Sequence, residues 1–199
     1  MFQNVYRNID LRLRSIGVDD GGFPSAWPPS LRSGKALLVS ALLRGLWLER
    51  VRLGEITVDG FDATNVLTNL LKNLTFNIVF LSGVSFAGFN VVDAVKIHKE
   101  FKKPIIVVAS EKPNNKAVKN ALRKHFKDWR SRWRVIEKLG KVHHVVPIIG
   151  GPPLYFEATG IDVKSAKLMI RVLTASGRIP EPVRVARLIA RGLTHSERL

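Results

Sequence analysis

The sequence predicts a single α/β domain built on a mixed sheet, and three observations carry that prediction. Two strand-sized apolar runs, ALLVSALL and RVRLGEITV, follow one another with a short connection, which favours an antiparallel pair. After residue 60, runs with helical apolar spacing alternate with short Val/Ile-rich runs, the order of βα units. The chain has 199 residues, 46% of them hydrophobic, enough for one sizeable core, and no linker or internal repeat divides it.

Taken in order, SIGVDDGGF (15–23) reads as a strand running into a tight turn, with Gly21 and Gly22 taking positive φ. A Pro/Ser loop, PSAWPPSLRSGK, leads to ALLVSALL. In RVRLGEITV the alternation Val51, Leu53 gives way to Ile56, Val58, so a β-bulge is expected at Gly54. DGFDAT opens a helix with the apolar stripe Ala63, Val66, Leu67, Leu70, Leu71 and Leu74. NIVFLSGV is a strand, FNVVDAVKIHKEF a helix and PIIVVAS a strand. One long helix is expected from Asn115 to Leu139. VHHVVPII and LYFEA are strands separated by a GGPP turn. Two helices end the chain, Val163 to Ala175, closed by Gly177, and a last one opened by PEP near Pro180.

Charge narrows the partners. Lys and Arg number 32 against 16 Asp and Glu, a formal net charge of +16. Ion-pair networks need acids in comparable number, so a polyanion is the expected partner, and nucleic acid, DNA or RNA, fits best. The absence of cysteine excludes disulfides, thiolate metal sites and cysteine nucleophiles. The amino terminus lacks the continuous apolar core of a signal peptide, and no apolar run approaches the ~20 residues that span a bilayer. A soluble, cytoplasmic protein is expected.

The segment from Asn115 to Leu139 divides into two faces. Val118, Ala121, Leu122, Phe126, Trp129, Trp133 and Ile136 form an apolar stripe, which assigns both tryptophans to the core rather than to base stacking. Lys116, Lys119, Arg123, Lys127, Arg130 and Arg134 recur at three- and four-residue spacing on another side. Such a stripe fits a solvated face as well as a phosphate-tracking one. Arg184, Arg187 and Arg191 repeat the spacing on the last helix.

The acids allow two readings. Asp19 and Asp20 end a strand, where neighbours point to opposite faces, so one of them can aim into a site. Asp59 and Asp62 bracket a strand-to-helix junction, where Asp62 can cap the helix and Asp59 favour the turn. Alternatively, carboxylates from separate strand ends converge on Mg²⁺ or Mn²⁺, as metal-assisted phosphodiester cleavage requires. SGKA is not a P-loop, because the upstream glycine and the Ser/Thr after the lysine are missing. His143 and His144 face apart on one strand, while His98 and His125 are expected to pack on their helices.

The combination IGVDDGGF, ITVDGFDAT, LSGVSFAGFNVVDA and SGRIPEPVRVARLIARG, spanning Ile16 to Gly192, resembles a mostly archaeal family related to endonuclease V. The resemblance implies a ribonuclease H-like fold and a Mg²⁺-dependent nuclease ancestry, endonuclease V itself nicking nucleic acid near deaminated bases. It places Asp19 at the first catalytic aspartate and Asp59 at the strand-end glutamate, one methylene shorter. Ser82 stands where the third metal carboxylate belongs, and Ile161 at the late catalytic position. The Pro-Tyr-Ile-Pro wedge is replaced by RVRLGEI, and Ser110 takes the place of a lysine, with Lys112 close by. The expected site is therefore Asp19, Asp59 and Asp62, with Asp93 as a further metal ligand and Asp20 nearby. The alternative is a nucleic-acid-binding protein that has lost the chemistry.

Overall fold

The first strand, β1 (Arg14–Asp19), shows why the sheet forms where it does. Ile16 and Val18 are fully buried on one face, while Gly17 and Asp19 turn to the other, so both faces must be covered. The structure, a computed structural model, describes residues 12–21 and 34–196. Gly22, Phe23 and most of the Pro/Ser loop read from the sequence lie outside the described residues.

β1 pairs antiparallel with β2 (Lys35–Arg44), which turns back into β3 (Trp47–Thr57). On its other side β1 runs parallel to β4 (Ile78–Leu81). β7 (Ile105–Ala109) continues the parallel run, and β9 (Leu154–Thr159) and β8 (His143–Val145) close the sheet antiparallel. The order is β3-β2-β1-β4-β7-β9-β8, a seven-stranded mixed sheet of the expected class. A separate hairpin, β5 (Ser85–Phe86) with β6 (Asn90–Val91), stands beyond the end of β4.

Helices cover both faces. α1 (Ala63–Leu71) and α2 (Ala94–Phe101) bury Leu67, Leu71, Ala94 and Ile97 against Ile16, Val18, Leu81 and Val107. α5 (Val163–Val172) and α6 (Glu181–Ser196) cover the opposite face, Ile170 and Val183 meeting Phe80, Ile106 and Phe156, and Ala186 and Ala190 meeting Val39 and Ala41. Between them in sequence, α3 (Asn115–His125) and α4 (Trp129–Glu137) form a helical hairpin. Its small core of Leu122 and Ile136 packs on Val91 of the β5–β6 hairpin.

Three expectations are corrected. The bulge falls at Glu49, where Leu42 pairs with Arg50 but Leu43 with Leu48, while Gly54 keeps regular register with Leu38. Glu49 is held there by Arg14 and Arg44, with Arg14 Nε at 2.8 Å, and these guanidiniums keep its carboxyl below the usual range. Gly54 instead lets α1 approach, since a Cβ there would lie 2.7 Å from Val66 Cγ1. The apolar residues of β3 simply change face between Leu53 and Ile56.

The helix expected from Asn115 to Leu139 breaks at Phe126, whose backbone is extended at φ −128° and ψ 128°. That break carries the Phe126 ring against Phe89, 5.5 Å between centroids, and under the Arg132 guanidinium. Finally, Phe89 to Asp93 is not helical: Asn90 and Val91 form β6, and Asp93 caps α2 by accepting from Lys96 N at 2.9 Å.

The tightest contact is α6 on β1. A Cβ at Gly17 would lie 1.9 Å from the Pro182 carbonyl oxygen and 2.5 Å from Val183 N, both backbone atoms. Gly17→Ala must push α6 off the sheet. It is expected to lower unfolding free energy by about 3 kcal/mol or more, within the range for overpacking a core. Urea unfolding followed by circular dichroism checks this, with Gly192→Ala, where nothing lies within 4 Å of an added Cβ and φ is not positive, as the uncrowded comparison.

Candidate active site at the carboxyl ends of the strands

β1, β4 and β7 run parallel, and β3 shares their direction because both it and β1 are antiparallel to β2. Their carboxyl ends therefore meet at one sheet edge, the edge where ligands bind in open α/β sheets. Asp19, Asp59, Ser82 and Ser110 fall there, and Ser82 N donates to Val18 O at 3.1 Å, placing it beside the end of β1.

Asp19 is 2% exposed. Its Oδ1 accepts from Gly21 N at 2.7 Å, completing the turn in which Gly21 takes φ +78°, and its Oδ2 accepts from Arg187 Nε at 3.0 Å. Asp20 and Asp59 grip a neighbouring turn. Asp20 Oδ2 accepts from Ala87 N at 2.5 Å and Asp59 Oδ1 from Phe89 N at 2.8 Å, while Asp59 N donates to Ala87 O. Asp59 and Ala87 both sit at positive φ, +55° and +44°, and the absent Cβ of Gly88 is what admits the Asp59 carboxylate.

Asp62 occupies the N-cap position of α1 without capping it. Its oxygens accept from Thr57 N, Thr57 Oγ1 at 2.8 Å and Asn90 Nδ2 at 2.5 Å, while buried Asn90 caps the helix instead through Ala63 N. Burial works to raise the Asp62 carboxyl, but the bonds from Asn90 and Thr57 outweigh it and hold it below its ordinary value. Asp93 accepts from Lys96 N and pairs with Lys138 Nζ at 2.9 Å. Ile161 lies at the other end of the sheet, because β9 runs antiparallel and its Thr159 end is level with Ile105.

The partners of these carboxylates are backbone amides, a hydroxyl, a side-chain amide and two cations. Among the described residues no group of three or more His, Asp or Glu side chains is placed to hold a metal ion. The residues as arranged do not fit Mg²⁺ or Mn²⁺: Asp19, Asp62 and Asp93 are each committed to different local structures. The position against Asp19 is filled by the Arg187 guanidinium.

The two basic faces also part company. Arg184 binds Glu181 through Nε at 2.8 Å, Arg187 binds Asp19, and Arg191 Nε donates to Gly21 O at 3.1 Å, so the α6 arginines are drawn onto their own chain. On α3–α4 the cations are presented to solvent: Lys116, Arg123, Lys127, Arg130 and Arg134 are exposed and Lys119 half-buried. Trp129 and Trp133 are half-buried rather than core, and His125 is exposed. His98, as expected, packs against Gly160, with Nδ1 2.8 Å from Lys103 O. His143 and His144 do face apart, toward Phe156 and Tyr155 respectively.

Two residues escaped the sequence reading. Arg132 fits neither stripe of its helix and is 5% exposed. Its Nη1 donates to Gly60 O and Phe89 O, each at 2.7 Å, and its Nε pairs with Asp128 at 2.9 Å. It ties the basic hairpin to the two turns that hold Asp59. Glu157, on β9, pairs in register with Val107 and is 6% exposed, and burial pushes its carboxyl up to about 7. A lone charged residue in the run LYFEA was the available signal.

Comparison with known proteins supplies the family. The endonuclease dU family model matches residues 12–194. This chain belongs to the endonuclease dU family. It is 38% identical to a UPF0215 protein of Methanosarcina acetivorans over 195 residues, covering 96% of this chain and 95% of the relative. A crystal structure of a protein of unknown function from Archaeoglobus fulgidus matches at TM-score 0.78 and 28% identity, over 91% of this chain and 98% of that one. Endonuclease V of Ciona intestinalis, solved with inosine-containing DNA, matches at TM-score 0.60 and 14% identity, over 93% and 86% of the respective chains. That likeness establishes the endonuclease V fold for this endonuclease dU family member.

Two outcomes follow for the family member. Arg132→Met keeps the stem but leaves two part-buried carbonyls without their donor. It is expected to cost about 2–4 kcal/mol in denaturant unfolding, and Arg132→Lys to recover little, since one ammonium replaces a planar fork. For Glu157, the folded-state value of about 7 exceeds the ordinary 4.5, so the folded protein holds a proton that the unfolded chain has lost. Stability should therefore fall as pH rises from about 4.5 to about 7, by about 3 kcal/mol in all. Glu157→Gln should flatten the curve in that window, as measured by urea midpoints from pH 4.5 to 8. The loss linked to lowered carboxyls such as Asp62 falls below that window, as pH drops under about 4.

Proposed function

We propose that this protein is a nucleic-acid endonuclease that cuts a phosphodiester beside a deaminated base, deoxyuridine in DNA being the first substrate to try. The match to the endonuclease dU family over residues 12–194 carries the reading. The endonuclease V fold, found in a protein solved with inosine-containing DNA, supports it. Deoxyuridine and inosine share one chemical change, an exocyclic amino donor replaced by a carbonyl acceptor, so one pocket logic serves both. The net charge of +16 supports a polyanionic partner, and the solvent-facing cations of α3–α4 would hold the backbone flanking the cut. The absence of cysteine accords with a cytoplasmic setting.

Dependence on Mg²⁺ or Mn²⁺ belongs to this reading as an assay variable. The carboxylates as arranged do not make an ion site, and no step is assigned to one. A second reading, a binding protein without chemistry, is favoured by one observation: the Asp19 carboxylate is already neutralised by Arg187.

The test is cleavage of end-labelled DNA and RNA, single- and double-stranded, with and without deoxyuridine or inosine, in Mg²⁺, Mn²⁺ or chelator. Cleavage by the wild type, abolished in Asp59→Asn, supports the endonuclease. Binding without cleavage under every condition favours the second reading, and absence of binding to all substrates removes both. Reversal of charge in Arg123→Glu/Lys127→Glu/Arg130→Glu should weaken duplex binding with circular dichroism unchanged. The slope of log affinity against log salt should become shallower by about 3, near 0.9 for each phosphate that is no longer neutralised.

A further inference from the structure

The α3–α4 hairpin holds more than charge. Lys119 Nζ lies 4.8 Å from the Trp133 ring centroid, and the Arg123 and Arg130 guanidiniums lie 5.5 and 4.9 Å from that of Trp129. Both indoles touch the small core of Leu122 and Ile136 and remain half-exposed. The two acids nearby are engaged: Asp128 with Arg132, and Glu137 accepting from Trp133 Nε1 at 3.3 Å. Among the described residues, Lys116, Lys119, Arg123, Lys127, Arg130 and Arg134 have no carboxylate partner. Through Arg132 the hairpin is fixed to Gly60 and Phe89, beside the carboxylates at the strand ends.

We propose that this hairpin is a stacking platform for the unpaired bases of a nucleic-acid strand, with Trp129 and Trp133 as the ring faces and the cations above them as phosphate ligands. The proposal rests on the nucleic-acid reading above and adds which form of nucleic acid is preferred and which residues select it. A duplex keeps its base faces stacked inside, so an indole gains nothing from it, whereas a single strand offers a π-face at every base. Base–indole stacking is worth more than an exposed cation–π contact, so a base can displace a cation from the ring. The displaced cation then sits where the strand's phosphates run. The charge also fits: cations without carboxylate partners on the hairpin that carries two indoles match a chain whose bases are apolar-faced and whose backbone is anionic.

The experiment measures anisotropy of a labelled oligo(dT) of about 12 nucleotides, within the site size of such platforms, and of a duplex of equal length. Trp129→Leu/Trp133→Leu keeps apolar packing and removes stacking. It should weaken oligo(dT) binding at least tenfold with duplex affinity and salt slope unchanged, and Trp129→Phe/Trp133→Phe should recover most of the loss. Saturating oligo(dT) should quench tryptophan emission of the wild type, and that quench should disappear in the Phe variant. Wild-type oligo(dT) affinity in the Leu variant overturns the platform, as does equal loss on both nucleic acids or unquenched emission at saturation. In those cases binding by the wild type leaves the endonuclease reading standing. Failure of the wild type to bind any nucleic acid overturns both.

Discussion

An ion pair between buried Asp19 and half-buried Arg187 joins the end of the first strand to the last helix across 168 residues of sequence. It sits between two glycines, Gly17 of β1 under Pro182 and Gly21 of the following turn under Ala190 and Arg191. The glycines allow α6 to lie against the strand backbone, and the pair supplies the charge balance that this closeness demands. Asp19 is the buried member, so removing Arg187 would leave a desolvated carboxylate without its cation, whereas Arg187 keeps contact with solvent. The covering of one sheet face, and the shape of the strand-end edge, depend on this seam.

The same logic shapes that edge. Carboxylates that could have converged on an ion hold backbone in place instead. Asp20 and Asp59 fix the turn from Ala87 to Phe89, and Ala87 within it and Asp59 beside it both sit at positive φ. A bond from an amide to a charged acceptor stabilises by about 1.5–3 kcal/mol, comparable to the 1–3 kcal/mol that such backbone strain costs. Asp62 and Asn90 similarly bind the end of β3 to the start of α1. Arg132 then carries the basic hairpin to the same place. The site is thus a meeting of turns held by charge, with a cationic, aromatic surface tethered alongside.

The endonuclease V fold is present without its expected ligand geometry, and fold alone does not determine chemistry. Ser82 stands at the end of β4 beside Asp19's strand, and a guanidinium faces Asp19. Family membership supplies the nuclease reading, and the arrangement of side chains defines what must be explained if the protein cuts.

Residue spacing was enough to set most of the element types, though not the Asn90–Val91 strand, because burial on a sheet or helix imposes a period that apolar residues must follow. Ile16 and Val18, the α1 stripe and the Val/Ile runs of β4 and β7 form the elements their spacing predicts, and the motifs from Ile16 to Gly192 marked the family. Partners were settled by the packed chain. The helix broke at Phe126 because Phe126 and Arg132 pack against Phe89 and bind the turn at Gly60, contacts no local period encodes. Asp19 became an ion-pair member and Asp62 a clamp because Arg187 and Asn90 arrive from distant segments. The α6 arginines looked like an open basic face, yet each finds an acceptor on its own chain. Spacing sets which residues share a face; only the packed fold sets which of their charges are already satisfied.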